Sequence, residues 1–213
     1  MTPNDPLLIR HPGVDIDLDG ATLGEYVVLG VPPRGETPGS LPTRIGRGAI
    51  IRSHSVIYAG NVIGENFQSG HGVMIREANR IGDNVSIGSH SIVEHHVEIG
   101  DGVRIHSNVF IPEYTVLEAG CWLGPGAVLT NARYPLSADA KTSLEGAHIA
   151  AGAIVGANVT LLPGVKIGAG ALVGAGAVVV ENVPPGAVVV GNPARVVRQV
   201  NELAAYRGRD RAE

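Results

Sequence analysis

Two adjacent histidines flanked by carboxylates are the residues of this chain best suited to proton transfer. His95 and His96 lie in the segment VEHHVEIGD (residues 93–101), with Glu94 before them and Glu98 shortly after. A neutral imidazole, with a pKa near about 6.5, can remove a proton from an amine or hydroxyl at neutral pH. A carboxylate on the other ring nitrogen would fix the tautomer of that imidazole. The segment therefore carries the groups that general-base catalysis needs, although the sequence does not orient either carboxylate.

A second histidine pattern indicates different chemistry. His54, His90 and His95 are separated by 36 and 5 residues. Three imidazoles with an open position for water are what a catalytic zinc ion needs. This spacing resembles that of the γ-class carbonic anhydrases, but Ser89 separates Gly88 from His90 where that family has a Gly-His pair. Zinc catalysis therefore stays open as an alternative, while no metal is expected in the favoured interpretation.

A six-residue repeat defines the elements that must position these histidines. In two runs, 20 of 21 positions at steps of six are Ile, Leu or Val, and only Ser69 departs. The positions are Ile45, Ile51, Ile57, Ile63, Ser69, Ile75, Ile81, Ile87, Val93, Ile99, Ile105, Ile111, Leu117, Leu123 and Leu129, then Ile149, Val155, Leu161, Ile167, Val173 and Val179. A second series of mostly small residues stands two places earlier in each repeat. Since residues two apart on a strand share a face, each repeat is predicted to be a short strand with two inward side chains.

This period excludes most other folds. Six is not a multiple of 3.6, so the segments do not form amphipathic helices. An ordinary sandwich would show less regular strand spacing. A strict short period predicts stacked, nearly identical coils, with glycine at many corners.

The pattern resembles that of the hexapeptide-repeat acyltransferase superfamily over about residues 20–198, including the tail VVVGNPARVVR at 188–198. The resemblance implies an all-β fold, a left-handed parallel β-helix with three repeats per coil. It also implies a homotrimer with active sites between neighbouring subunits. Because the family's winding is left-handed, it is an exception to the usual crossover rule.

The histidine segment resembles the V-E-H-x-x-x-I-G-D segment of bacterial nucleotide-amino-sugar N-acetyltransferases. In that comparison His95 takes the place of the general base, while His96 stands where those enzymes have an asparagine that contacts substrate. We therefore expect His95, His96 and Glu94 to be catalytic. The implied reaction is transfer of an acetyl group from acetyl-CoA to an amine or hydroxyl of a small acceptor, with a nucleotide-linked amino sugar favoured.

A second segment supports the same group of enzymes. Residues 131–135, NARYP, resemble an N-D-R-Y-P stretch in those enzymes, with Ala132 in place of the usual aspartate. The expected substrate contacts are Asn131, Arg133, Tyr134 and His71. For the coenzyme A arm, the resemblance implies small corners in the later coils and a basic side chain for a phosphate. The expected cofactor contacts are Gly156, Ala157, Gly174, Ala175 and Arg195.

The repeat also predicts the organisation of the chain. We expect an irregular lead-in at 1–22 and a β-helix at 23–196, interrupted by Pro- and Gly-rich loop 30–44 and by an excursion at 131–147, where the register breaks. A short helix and tail are expected at 197–213. In the superfamily, such an excursion commonly reaches toward the active site.

Composition narrows the function further. The chain has 213 residues, a net charge of −4 and no block of Lys or Arg, so nucleic-acid binding has no electrostatic support. No apolar run reaches the roughly 20 residues of a membrane helix, and the first residues lack the order of a signal peptide. The lone Cys121 is predicted to be a core thiol, so a cytoplasmic protein is expected. A non-catalytic trimeric scaffold stays open as a further alternative.

Overall fold

The computed structural model describes residues 8–206, which form a prism of stacked coils. Most strands contain only two residues, because each face of the prism is one repeat wide. The strands are β1 (Leu8–Arg10), β2 (Val14–Ile16), β3 (Thr22–Leu23), β4 (Val27–Val31), β5 (Thr43–Ile45), β6 (Ile50–Ile51), β7 (Val56–Tyr58), β8 (Val62–Ile63), β9 (Gln68–Ser69), β10 (Met74–Ile75), β11 (Arg80–Ile81), β12 (Ser86–Ile87), β13 (Ile92–Val93), β14 (Glu98–Ile99), β15 (Arg104–Ile105), β16 (Phe110–Ile111), β17 (Val116–Leu117), β18 (Trp122–Leu123), β19 (Val128–Leu129), β20 (His148–Ile149), β21 (Ile154–Val155), β22 (Thr160–Leu161), β23 (Lys166–Ile167), β24 (Leu172–Val173), β25 (Val178–Val179), β26 (Ala187–Val190) and β27 (Arg195–Gln199). Two 3-10 turns follow, Val200–Glu202 and Ala204–Tyr206.

These strands form three sheets, and from β1 to β25 successive strands of the chain go to successive sheets. Sheet A has the order β1-β4-β7-β10-β13-β16-β19-β22-β25, sheet B runs β2-β5-β8-β11-β14-β17-β20-β23, and sheet C runs β3-β6-β9-β12-β15-β18-β21-β24-β26-β27. All neighbours are parallel except the last pair. In the regular coils residue i pairs with residue i+18, as Met74 does with Ile92. We call the turns between the sheets corner A–B, corner B–C and corner C–A.

The inward side chains fill the prism with aliphatic groups, as the repeat predicts. Ile75, Ile111 and Leu129 are fully buried, and each such side chain stabilises the fold by roughly 1.5–3 kcal/mol. Ser69 is also buried, and its hydroxyl accepts a hydrogen bond from the Arg52 amide at 3.0 Å. Cys121 is buried, as expected, with its sulfur 3.3 Å from the Ile149 carbonyl oxygen. The predicted parallel β-helix is thus confirmed.

Left-handed backbone at the corners explains two of the histidines. His54 and His90 have φ angles of 63° and 59°. The equivalent places one coil further on hold Gly72 and Asn108, which also have positive φ. Asparagine, glycine and histidine are the residues that adopt this region most readily. His54 and His90 therefore help to form corner C–A, whatever else they do.

The prism begins earlier than the sequence predicts. Residues 1–22 were expected to be an irregular lead-in, yet β1 and β2 lie within this range and pair with β4 and β5. Val14 and Ile16 are buried. The six-residue step does not reveal these strands, because the loop between β4 and β5 interrupts the spacing, and only their pairing with β4 and β5 defines them. Residues 1–7 lie outside the described part of the chain.

The end of the chain also differs from the prediction of a short helix. Residues 195–199 form β27, which pairs antiparallel with β26, and only the two 3-10 turns follow among the described residues. Pairing with β26 covers the open edge of sheet C, which outweighs local helix propensity. The remainder of the predicted tail, 207–213, lies outside the described residues. Within 8–206, no helix is long and apolar enough to cross a bilayer.

Candidate active site

The candidate site lies on corner A–B, where side chains from successive coils stack. Ile75, Val93 and Ile111 pair with one another in sheet A. Two places after these three residues lie Glu77, His95 and Glu113, respectively. Asn131 takes the same place in the coil after Glu113. The 18-residue pairing thus places two carboxylates on the coils that flank His95.

Glu113 is the carboxylate that faces the His95 ring. Its Oε1 lies 3.5 Å from His95 Nε2, and both side chains are about one-quarter exposed. Its Oε2 accepts a hydrogen bond of 2.7 Å from the Asn131 side-chain amide. Asn131 therefore holds Glu113, and Glu113 faces His95, which is an arrangement that can fix the orientation and tautomer of an imidazole.

His96 completes this chain of polar groups on the exposed side. The Nδ1 atoms of His95 and His96 are 2.8 Å apart, so one donates and the other accepts. The Tyr114 ring contacts both imidazoles, with its centroid 6.1 Å from His95 and 5.9 Å from His96. His96 is exposed and has a φ angle of 56°. A connected path runs from Asn131 through Glu113 and His95 to His96.

Glu94 has a different partner from the one expected. Its carboxylate accepts a 3.2 Å hydrogen bond from Arg76, which also makes a two-pronged contact with Glu77 at 2.9 and 3.0 Å. Burial acts to raise the pKa of Glu77, but hydrogen bonds from Arg76 and from its own backbone outweigh burial and hold the pKa below its usual value. Glu98, the other predicted carboxylate, lies on the exposed outer face of β14 in sheet B. Neither predicted carboxylate therefore orients His95.

A buried amide fixes the corner beneath the histidines. Asn79 donates to the Arg76 carbonyl at 2.8 Å and accepts from the Val97 amide at 2.7 Å. The side-chain oxygen of Asn61, one coil earlier, accepts a hydrogen bond of 3.0 Å from the backbone N–H of Asn79. Because Val97 directly follows His96, the Asn79 side chain ties the end of the histidine segment to the coil that carries Arg76 and Glu77.

Both long loops leave the prism at this same corner. One connects β4 with β5, and the other connects β19 with β20, so each runs from sheet A to sheet B. The second begins beside Asn131 and sends Arg133 to the Pro163 carbonyl at 3.1 Å. Tyr134 is 71% exposed. Asn131 thus belongs to the histidine cluster, whereas Arg133 binds backbone and Tyr134 lies on the loop surface.

The other predicted contacts lie at the opposite edge of sheet A, on corner C–A. His71 is there, with Nδ1 2.8 Å from the Ser53 hydroxyl. The predicted cofactor glycines and alanines occupy the same corner in later coils, where Gly174 lies against the Val190 side chain. Arg195 begins β27, and its guanidinium donates to the neighbouring Ala194 carbonyl. In a single chain, His71 and the small corner residues therefore lie on the same edge of the prism, several coils apart, and the width of sheet A separates that edge from the one that carries His95.

The possible zinc ligands are divided in the same way. His54 and His90 stand two coils apart on corner C–A, and His95 stands on corner A–B. Within residues 8–206 no three His, Cys, Asp or Glu side chains come close enough to hold a metal. A zinc site formed by His54, His90 and His95 of one chain is contradicted by this separation.

One concavity of the prism lies away from the histidines. It has a volume of about 560 Å³ and lies at corner B–C, between small residues such as Gly152 and Gly170 and the C-terminal Gln199 and Asn201. In a single chain, corner A–B is an open surface from which the β4–β5 and β19–β20 loops leave. The residues that line this concavity do not include the titratable groups of the candidate site.

Comparison with known proteins agrees with this fold. The family model for the bacterial transferase hexapeptide, which describes six repeats, matches residues 80–113 and 146–180. UDP-N-acetylglucosamine acyltransferase of Arabidopsis has a TM-score of 0.57 at 19% identity, with 96% of this chain and 76% of that chain covered. The same enzyme of Francisella novicida has a TM-score of 0.52 at 20% identity, with 95% and 72% covered. The chain therefore shares the fold of these two acyltransferase structures, and its hexapeptide repeats match the family model over about a third of its length.

Other solved structures also match, among them a hexapeptide-repeat-containing acetyltransferase of Vibrio cholerae complexed with acetyl coenzyme A. That structure has a TM-score of 0.38 at 23% identity, with 68% of this chain and 70% of that chain covered. No curated protein sequence matches the chain.

Proposed function

We propose that this protein is an acetyltransferase that moves an acetyl group from acetyl-CoA to an amine or hydroxyl of a small acceptor, favouring a nucleotide-linked amino sugar. The observation that carries the proposal is the chain of contacts from Asn131 through Glu113 and His95 to His96. It ends in an exposed imidazole on the corner from which both long loops leave. The family's transferase repeats support the same reaction class.

The contacts define one consistent set of tautomers. If His95 Nε2 carries the proton that faces Glu113, then His95 Nδ1 accepts from His96 Nδ1. This leaves a lone pair on His96 Nε2, which has no hydrogen-bond partner among the described residues. The pair acts as the base, with the acceptor's proton arriving at His96 Nε2 and the resulting charge shared toward His95 and Glu113. Glu94 remains paired with Arg76 and stabilises the coil below.

The reaction balances with these groups alone. The acceptor nitrogen or oxygen attacks the thioester carbonyl carbon as its proton passes to the imidazole. The carbon–sulfur bond then breaks, and the leaving thiolate takes up that proton as free coenzyme A. General-base assistance of this kind contributes about 10²–10⁴-fold.

The outer face of sheet A supports a homotrimeric site. Its outward residues are largely apolar and partly exposed: Val56, Met74, Ile92, Phe110, Val128 and Val178. This face separates corner A–B from corner C–A, so packing between neighbouring copies would bring His71 and the small corners of one subunit toward His96 of the next. An apolar strip of this kind is typical of a subunit contact. Coenzyme A then lies between subunits, against Gly156, Ala157, Gly174 and Ala175, with Arg195 near a phosphate.

The assembly is tested with a matched pair of variants. Val128 on sheet A and Val62 on sheet B are 39% and 45% exposed on equivalent two-residue strands. We expect Val128→Asp to dissociate the trimer in analytical ultracentrifugation and Val62→Asp to leave it intact. A monomeric parent protein, or equal effects of both changes, would contradict the intersubunit site.

The activity is tested by following coenzyme A release from acetyl-CoA with a panel of nucleotide-linked amino sugars. We expect release with at least one acceptor, and loss of release in His95→Ala. Absence of release with every acceptor would favour the scaffold alternative. The lone buried thiol suits a reducing compartment, so the cytoplasm is the proposed location.

A further inference from the structure

A polar cleft crosses the outer face of sheet C in the middle coils, away from the histidine pair. It has a volume of about 190 Å³ and extends from Arg52 to Arg104 and His106. Gln68 and Ser86 lie between the two arginines on the outer face. The strands involved, β6, β9, β12 and β15, are consecutive neighbours about 4.8 Å apart.

The corner glycines explain why there is a cleft here. Along corner C–A the coils present Arg52, Gly70, Gly88 and His106 in turn. A Cβ on Gly70 would collide with the Ser89 amide, and one on Gly88 would collide with the Ser107 amide. The packing of the coils therefore leaves the middle of the cleft along this corner without side chains. Arg52 lies at one end of the cleft, and Arg104 and His106 lie at the other.

The charge of the cleft is unbalanced. Unlike Arg47 and Arg76, neither Arg52 nor Arg104 forms an ion pair among the described residues. The outward residues of sheet C from β3 to β24 are Thr22, Ile50, Gln68, Ser86, Arg104, Trp122, Ile154 and Leu172, and none of them is acidic. In a chain of net charge −4, this face offers two free guanidinium groups, which bind phosphate oxygens through charged hydrogen bonds.

An aromatic pair lies at one end of the cleft, where His106 lines it and Trp122 stands on the next strand. The rings of His106 and Trp122 are 4.6 Å apart and tilted by 58°, and Trp122 is partly exposed on the strand next to Arg104. Aromatic side chains beside basic residues form stacking surfaces for nucleobases. We propose that this cleft binds the diphosphate of a nucleotide, with Arg52 and Arg104 on the phosphate oxygens and the base beside Trp122.

Two nucleotides of the proposed reaction share this chemistry: the acceptor's nucleoside diphosphate and the ADP portion of coenzyme A. The inference rests on the proposed function for its biological setting, but binding can be measured without turnover. Trp122 is the single tryptophan of the chain, so its fluorescence reports on this cleft alone. Titration calorimetry supplies an independent signal.

The experiment titrates the full-length protein with UDP, GDP, coenzyme A and inorganic pyrophosphate. We expect a nucleotide to change Trp122 fluorescence saturably, and Arg104→Gln or Arg52→Gln to weaken its binding by about tenfold or more. The matched control is Arg80→Gln, since Arg80 and Arg104 each precede a buried isoleucine on a two-residue strand. Arg80→Gln should leave the affinity unchanged.

The outcomes separate the ligand sources and the two proposals. Binding of UDP or GDP that Arg52→Gln or Arg104→Gln weakens assigns the cleft to the acceptor. Binding of coenzyme A that these variants weaken assigns it to the ADP portion of the donor, whereas coenzyme A binding that they leave unchanged takes place elsewhere and does not support the cleft. No binding of any nucleotide, binding of pyrophosphate alone, or equal weakening by Arg80→Gln would overturn the inference. If acetyl transfer occurs while the arginine variants bind normally, the cleft proposal fails and the proposed function stands.

Discussion

Glu113 presents its carboxylate to His95 from the next coil of the prism, with Oε1 3.5 Å from Nε2. We predict that Glu113→Gln lowers kcat by about tenfold or more, though by less than loss of the base itself, because an amide no longer stabilises the charged imidazole. Glu98→Gln, which removes an exposed carboxylate from sheet B, is the control, and an undiminished kcat in Glu113→Gln would contradict the arrangement.

The histidine pair should behave as one unit. His95→Ala and His96→Ala are each expected to reduce turnover by about 10²–10⁴-fold. The double variant should be little worse than either single one, because groups that act together are not additive. The measurement is steady-state coenzyme A release. His54→Asn serves as the control, since asparagine keeps the left-handed corner conformation. Multiplied losses in the double variant would indicate two independent roles.

Ser69 should be more important to stability than its small size suggests. Its hydroxyl satisfies the Arg52 amide inside the prism, so Ser69→Ala leaves that donor without its partner. We expect the free energy of unfolding to fall by about 1–3 kcal/mol, measured by urea denaturation. Ser86→Ala, on the outer face of the next coil, is the comparison and should change little. Equal values for the two variants would show that the amide finds another partner.

Cys121 should be unreactive in the native protein. Burial raises the pKa of its thiol to about 12, and the thiolate is the nucleophilic form. We expect negligible reaction with a disulfide reagent at pH 8 and full reaction of one thiol per chain after denaturation. Rapid labelling of the folded protein would show that the coils around Cys121 open readily.

His106 provides a pH test of the sheet C cleft. Burial, followed by the charge of Arg104, lowers the pKa of its imidazole. The folded state therefore favours neutral His106, and its contribution to stability declines as pH falls through the ordinary value near 6.5. We predict that Arg104→Gln raises this pKa toward that value in an NMR titration. Arg80→Gln should not move it, and an unchanged pKa in Arg104→Gln would place the guanidinium away from the ring.

The repeat predicts the prism well because every inward position has the same packing requirement. Steps of six from Ile45 locate the strands of the middle coils, and even Ser69 occupies its predicted inward place. The repeat does not predict β1 and β2, since a loop separates Val14 and Ile16 from the six-residue series. At the other end, Val196 and Val197 are half exposed in a strand, so no burial pattern predicts that strand.

The site is predicted less completely, for a reason that lies in the geometry of a coil. Sequence reasoning selects His95, His96 and Asn131, but its candidates for the orienting carboxylate are Glu94 and Glu98, which are neighbours along the chain. In the prism the effective neighbours are one coil away, so Glu113 faces His95 and Arg76 holds Glu94. Reading the sequence in steps of 18 would have aligned Glu77, His95, Glu113 and Asn131. It would not have shown which way each side chain turns.

Because residue i stacks on residue i+18, deleting a whole coil and deleting a single six-residue repeat have different consequences for this fold. Deletion of one whole coil of 18 residues shortens the prism, but every later side chain stays on the same sheet or corner. Deleting a single repeat preserves all inward aliphatic positions and yet rotates everything beyond it by a third of a revolution. If the deleted repeat lies between His95 and Glu113, Glu113 moves to corner C–A, on a different edge from His95. Packing of the hydrophobic interior therefore does not select against a six-residue shift that would separate His95 from Glu113, and only the corner residues depend on the correct number of repeats.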